Sequence, residues 1–173
     1  MRDAALGWQL PSAIALGALA VVAFGATATT IPAVYLAAVT PELVRVDLRE
    51  HRLPNRMVVP GLAVGLAAAV VAWSPVGLVA ALGYGGFLWV LGLAGGVGIG
   101  DVKLAALIGL ASPTLAVAVA APLSAFVLGG VAASMVLVRR GRGSRVAFGP
   151  WLLAGYWVVV AGALIGRMAG VAP

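Results

Sequence analysis

Roughly six apolar runs long enough to cross a bilayer as helices, plus one shorter run, leave this chain little choice but a helical membrane bundle. Only 9% of its 173 residues are charged and 63% are hydrophobic, whereas soluble domains carry roughly a quarter charged residues. The 24 glycines fit close helix packing. The expectation is an all-α polytopic membrane protein, with residues 1–173 forming a single membrane-embedded domain of about six transmembrane helices and one short helix. No internal repeat or low-complexity linker divides it.

The first run, Gln9 to Ala28, exceeds the roughly 7 to 15 apolar residues of a signal-peptide core. An uncleaved first helix is therefore expected, despite the Ala26-Thr27-Ala28 tripeptide. A second run, Ile31 to Val46, ends in a polar loop from Asp47 to Arg56. Leu53 should be extended before Pro54, and Asn55 should cap a third span from Arg56 to Trp73. After the Ser74-Pro75 turn, a fourth runs from Val76 to Val97. Gly92, Gly96 and Gly100 recur every fourth residue, a spacing that would place three hydrogen side chains on one helical face. The next segment, Asp101 to Ala111, reaches only about half of a ~30 Å core before Ser112-Pro113 breaks it. Thr114 to Val138 and Trp151 to Ile165 complete the set.

The net charge of +6 does not point to nucleic acid, because the basic residues crowd short loops beside apolar spans. Arg45, Arg49, Arg52 and Arg56 surround one such loop; Arg139, Arg140, Arg142 and Arg145 form the other. Placing both inside, with Arg2 and Lys103, puts ten of the eleven basic residues on the cytoplasmic face and leaves Arg167 outside. This predicts a multi-pass protein of the cytoplasmic (inner) membrane with its N-terminus in and its C-terminus out. The absence of cysteine excludes disulfides, thiolate nucleophiles and Cys-based zinc sites, and one histidine excludes a His-rich metal site. Neither a metal nor another cofactor is implied, and the sequence leaves the oligomeric state open.

Two acids then stand out. Asp101 ends the glycine-broken run Gly95-Gly96-Val97-Gly98-Ile99-Gly100 and precedes Val102-Lys103-Leu104; Asp47 opens the stretch Asp47-Leu48-Arg49-Glu50-His51-Arg52-Leu53-Pro54-Asn55. An ionisable side chain at membrane depth is costly and needs a reason. The predicted topology sets both at the cytoplasmic ends of different segments, at similar depth. Two carboxyls close enough to share a proton can hydrolyse a peptide, one acting as base toward water while the other protonates the carbonyl oxygen or leaving amine. Glycines before Asp101 would break the helix and make room for an extended substrate. Plainer readings exist: Asp101 as the cap of a short helix, and Asp47 as an interfacial acid paired with a neighbouring arginine.

Gly98-Ile99-Gly100-Asp101 with Val102-Lys103-Leu104 resembles the GxGD motif of the type IV prepilin peptidases. Asp47 followed by Arg52-Leu53-Pro54-Asn55 resembles that family's other aspartate signature, and Phe148-Gly149-Pro150-Trp151 its Phe-Gly-Pro stretch at the final helix. The resemblance covers most of the chain. It implies a membrane aspartic endopeptidase with Asp47 and Asp101 as catalytic residues, acting on prepilins or pseudopilins whose short basic leaders are removed, usually after a glycine. It also implies supporting roles for Gly98, Gly100, Lys103, Arg52, Pro54 and Asn55. Many bacterial members carry a cytoplasmic insertion with paired cysteines and methylate the new N-terminus; this chain has neither such cysteines nor a comparable loop, and so resembles a short peptidase-only form.

A basic leader should be repelled by a basic face, which gives the acids Glu42 and Glu50 a candidate role in contacting it. His51 reads as a solvated loop histidine, Lys103 equally as a snorkelling topogenic lysine, and Phe148-Gly149-Pro150 most simply as a helix start. Two functions of other classes share the same acids: a small proton- or cation-coupled carrier, and a noncatalytic pilus-assembly membrane protein.

Overall fold

The computed structural model describes residues 3–95, 97–140 and 147–170. They form seven helices, α1 (Asp3–Phe24), α2 (Ile31–Glu50), α3 (Asn55–Val71), α4 (Pro75–Leu93), α5 (Ile99–Leu110), α6 (Leu115–Arg140) and α7 (Gly149–Met168), with one 3₁₀ turn at Ala28–Thr30. No strand occurs among the described residues. This is an all-α membrane protein. Arg2, Gly96, Arg142 and Arg145, on which parts of the charge and glycine readings rest, lie outside the described residues.

Among the described residues, four helices are long and apolar enough to cross a membrane: α1 over Gly7–Phe24, α4, α6 over Leu115–Arg139, and α7. The expected count of about six is not reached on length and composition, for local reasons. α3 has 17 residues, and the second half of α2 carries Glu42, Arg45, Asp47, Arg49 and Glu50.

The short helix α5 is the hub, packing against α2, α3, α4 and α7. Leu104, Ala105, Leu107, Ile108, Gly109 and Leu110, half of its twelve residues, are buried. A helix apolar on most sides belongs in a core, and one sheathed by protein has no need to span the bilayer itself. Leu36 and Leu43 of α2, Leu88 of α4, and Leu152, Leu153, Tyr156 and Val160 of α7 complete that core, all at 0–1% exposure. Each such side chain contributes about 1.5–3 kcal/mol where its burial is from water, and mainly packing where the alternative is lipid.

Small residues set the spacing. α4 runs antiparallel to α5, with Gly77 against Leu110 and Gly85 against Ala106 and the Val102 carbonyl. A β-carbon at Gly85 would lie 3.1 Å from the Ala106 β-carbon, so any larger residue would separate the pair. The predicted stripe of Gly92 and Gly100 does not share one helical face, because α4 stops at Leu93 and α5 starts afresh at Ile99. Buried polar groups cross-link the frame: Tyr156 Oη donates to the Ala111 carbonyl (2.7 Å) and Trp157 Nε1 to Thr40 Oγ1 (3.1 Å). These bonds fix α7 against α5 and α2.

Candidate active site

Asp47 is in the last turn of α2, not in the loop expected to begin there, because the helix continues through Glu50. His51 then stops it with a left-handed backbone (φ 51°), and its N–H donates to the Asp47 carbonyl at 2.9 Å. Ser, Asn and Gly are absent at that stop, so a histidine adopts a conformation that favours glycine. The Asp47 side chain is turned inward and only 4% exposed. Its Oδ2 accepts a hydrogen bond from the Gly149 N–H at 3.1 Å, across 102 residues of sequence.

Asp101 reaches the same place from the other side of the bundle. Gly95, with φ 88°, turns the chain after α4, and Gly98 occupies the N-cap of α5. Asp101 therefore stands in the first turn of α5 rather than at the cap, where the helix dipole still favours its negative charge. Unlike Asp47 it is partly exposed.

Both carboxyls line one polar cleft of about 280 Å³, together with His51, Arg52, Leu53, Asn55, Gly98, Ile99 and Gly100. Neither aspartate lies in one of the four helices apolar enough to span a membrane. Burial raises the Asp101 carboxyl to about 6; the nearby Asp47 charge adds to the rise, and a hydrogen bond from the Gly98 backbone opposes it. Burial also raises Asp47, against the Gly149 hydrogen bond and the field of His51. Both acids therefore take up a proton more readily than a free carboxyl, and Asp101 does so partly because of the Asp47 charge.

A larger groove of about 540 Å³ lies between α4 and α6. Its walls are apolar apart from Tyr84, and they offer no acid–base pair. The smaller cleft is the candidate site. Among the described residues no group of three or more His, Asp or Glu side chains converges to hold a metal ion.

The remaining predicted residues divide. Arg52, Asn55, Gly98 and Gly100 border the cleft. Pro54, not Asn55, occupies the N-cap of α3 and supplies no side-chain cap; Asn55 is the first helical residue. Its Oδ1 instead accepts from Lys103 Nζ at 3.0 Å, tying the start of α3 to the turn that bears Asp101. Glu42 does not border the cleft. Its carboxylate is held by Arg45 at 2.9 and 3.2 Å and by Gln9 Nε2 at 2.8 Å. Glu50 is exposed at the end of α2.

In the sequence Leu53 reads as an extended residue and as the aliphatic member of the second motif, with no site role assigned, yet its side chain bridges all three motifs. A β-carbon on Gly100 would come within 3.1 Å of the Leu53 β-carbon, and one on Gly149 within 3.3 Å of Leu53 Cδ2. The two glycines thus form a notch that seats Leu53. No local signal in the sequence foretells this contact, which joins segments far apart in the chain.

A model of the type IV leader peptidase family matches residues 34–136, more than half of the chain and both aspartates. The chain belongs to the type IV leader peptidase family. It is accordingly a peptidase, and the family's name gives the class of substrate its members process. No curated protein matches the chain, and no solved structure matches it. The matched region ends before Phe148, so the third motif stands outside the family match.

Proposed function

We propose that this leader peptidase is an aspartic endopeptidase that removes the short basic leader from type IV prepilin or pseudopilin-like proteins at the cytoplasmic face of the inner membrane. The observation that carries the reading is the single polar cleft lined by Asp47 and Asp101; family membership supports the substrate class. One carboxylate takes a proton from water, the resulting hydroxyl attacks the scissile carbonyl, and the partner's proton passes to the departing amine. Water, peptide and the shared proton suffice for that balance. Gly98 and Gly100 add no side chains of their own to the cleft wall beside Asp101, Arg52 and Asn55 border it, and Pro54 and Lys103 support Asn55 from behind.

The charge pattern orients the cleft toward the cytosol, with the N-terminus in and the C-terminus out, as one membrane-embedded domain. A substrate with a basic leader and an apolar helix would then carry its scissile bond to the depth of the two acids. Without the cysteine-bearing insertion, the enzyme cleaves and does not methylate.

Coexpression with a reporter prepilin tests the reading. Cleavage by the wild type, lost in Asp47→Asn and separately in Asp101→Asn, is the expected result. Cleavage that survives both changes defeats it. The mass of the mature N-terminus is expected to lack the added methyl group.

A further inference from the structure

The Phe148-Gly149-Pro150 stretch reads in the sequence as a plain helix start, but its geometry is aimed at Asp47. Gly149 is the first residue of α7 and is buried. Pro150, next in line, has no N–H to offer. The Trp151 N–H is taken by the Phe148 carbonyl at 3.0 Å. Of these first three helical residues only Gly149 keeps a free amide, and that amide meets Asp47 Oδ2 at 3.1 Å. The positive end of α7 thus converges on one carboxylate oxygen.

Glycine is demanded here by space rather than by the backbone. Positive φ occurs at Gly25, Gly95 and Gly170, not at Gly149. An added β-carbon would lie 2.7 Å from Asp47 Oδ2 and 3.3 Å from its carboxyl carbon. Any side chain at this position would push the carboxylate off its donor or out of the cleft. The helix end is itself anchored, since the Phe148 ring packs against Phe126 of α6 (centroids 5.6 Å apart). A β-carbon on Gly129 would fall 2.9 Å from the same ring.

We infer that Gly149 is a positioning residue, whose amide and missing side chain together hold the Asp47 carboxylate in its reactive orientation. The inference rests on the aspartic-peptidase reading above. Among the described residues, the charged and titratable groups that line the cleft with Asp47 are Asp101 from α5 and His51 and Arg52 beyond the end of α2. None supplies a substitute for a fixed backbone donor.

The test compares purified wild-type enzyme with Gly149→Ala on a synthetic prepilin peptide in detergent micelles. The expected result is a fall in kcat of roughly tenfold or more, the worth of a hydrogen bond to a charged group, with KM little changed. Replacing Gly149 by glycolic acid, which exchanges the amide for an ester and adds no side chain, guards against a misfolded alanine variant. Loss of the donor disfavours ionised Asp47, so the acidic limb of the pH–rate profile should move to higher pH. Wild-type kcat and an unmoved acidic limb in the ester variant would overturn the inference, while cleavage by the wild type leaves the underlying reading standing. A wild-type enzyme that cleaves no prepilin would overturn that reading and this inference with it.

Discussion

The two aspartates meet in one cleft but are held in opposite ways. Asp47 lies in the last turn of a 20-residue helix, is almost fully buried, and is gripped by the amide of a second long helix. Asp101 begins a 12-residue helix after a glycine turn, is partly exposed, and has Gly98 and Gly100 for neighbours. The contrast divides the work between a carboxylate fixed by packing and one set at an opening. On the proposed reading, a peptide would enter from the side of Asp101 and leave the frame around Asp47 undisturbed.

Lengthening each acid by one methylene is the sharpest way to break that comparison. Asp47→Glu has no room beside Gly149 and is expected to lower kcat/KM by about a hundredfold, within the usual worth of a positioned acid or base. Asp101→Glu, at the open side, is expected to retain about ten times more activity than Asp47→Glu in the same peptide assay. Equal losses would remove the distinction.

Leu53 comes next, because it touches the glycines on both sides. Leu53→Ala should destabilise by about 1–2 kcal/mol, less than a fully buried leucine, and lower kcat severalfold. Leu53→Met should restore most of both, as read by thermal unfolding and peptide cleavage. No recovery with methionine would mean that filling the notch is not what matters.

A pH-dependent stability should show at both acids and be largest at Asp101. Its carboxyl is raised to about 6 in the fold against 3.8 for the free side chain, so between those values the folded protein binds more protons than the unfolded chain. Stability must then fall as pH rises through that window. Asp101→Asn removes the penalty and should raise Tm by roughly a few degrees at pH 7. The gain should vanish near pH 4. A gain that persists there would assign it to something other than ionisation.

The smallest effects belong to the rim. Lys103→Ala breaks an exposed bond to Asn55 and should cost under about 1 kcal/mol and a few-fold in activity. Glu50→Lys should slow cleavage of a basic leader more than of a neutralised one, with Glu42→Lys showing less of this selectivity because Glu42 is occupied by Arg45 and Gln9. Equal slowing of both leaders by Glu50→Lys would remove Glu50 from leader contact.

Much of this architecture is local and so could be read from the chain. Apolar runs located seven helices, although α1 starts six residues before the expected Gln9 and ends four before Ala28, and the glycine-rich break correctly separated α4 from α5. The reading failed where a helix outlasts its apolar run. Asp47 stays helical because α2 can carry charges once its inner face is covered by protein, and the polar pattern there looked like a loop. Asn55 was taken as a cap from residue preference alone, whereas Pro54 fills that position and Asn55 is drawn to Lys103, 48 residues away. The contacts of Gly149 and Leu53 were illegible for the same reason. They are set by how distant segments pack, and a glycine that makes room for a carboxylate looks the same in sequence as one that starts a helix.

The central claim is that Asp47 and Asp101 act as one proton-sharing unit, and a double-mutant cycle on prepilin cleavage tests it most directly. Asp47→Asn, Asp101→Asn and the double variant should all fall to the same residual rate, because removing either partner already removes the shared proton. Losses that multiply in the double variant, or measurable cleavage by either single variant above that of the double, would contradict it.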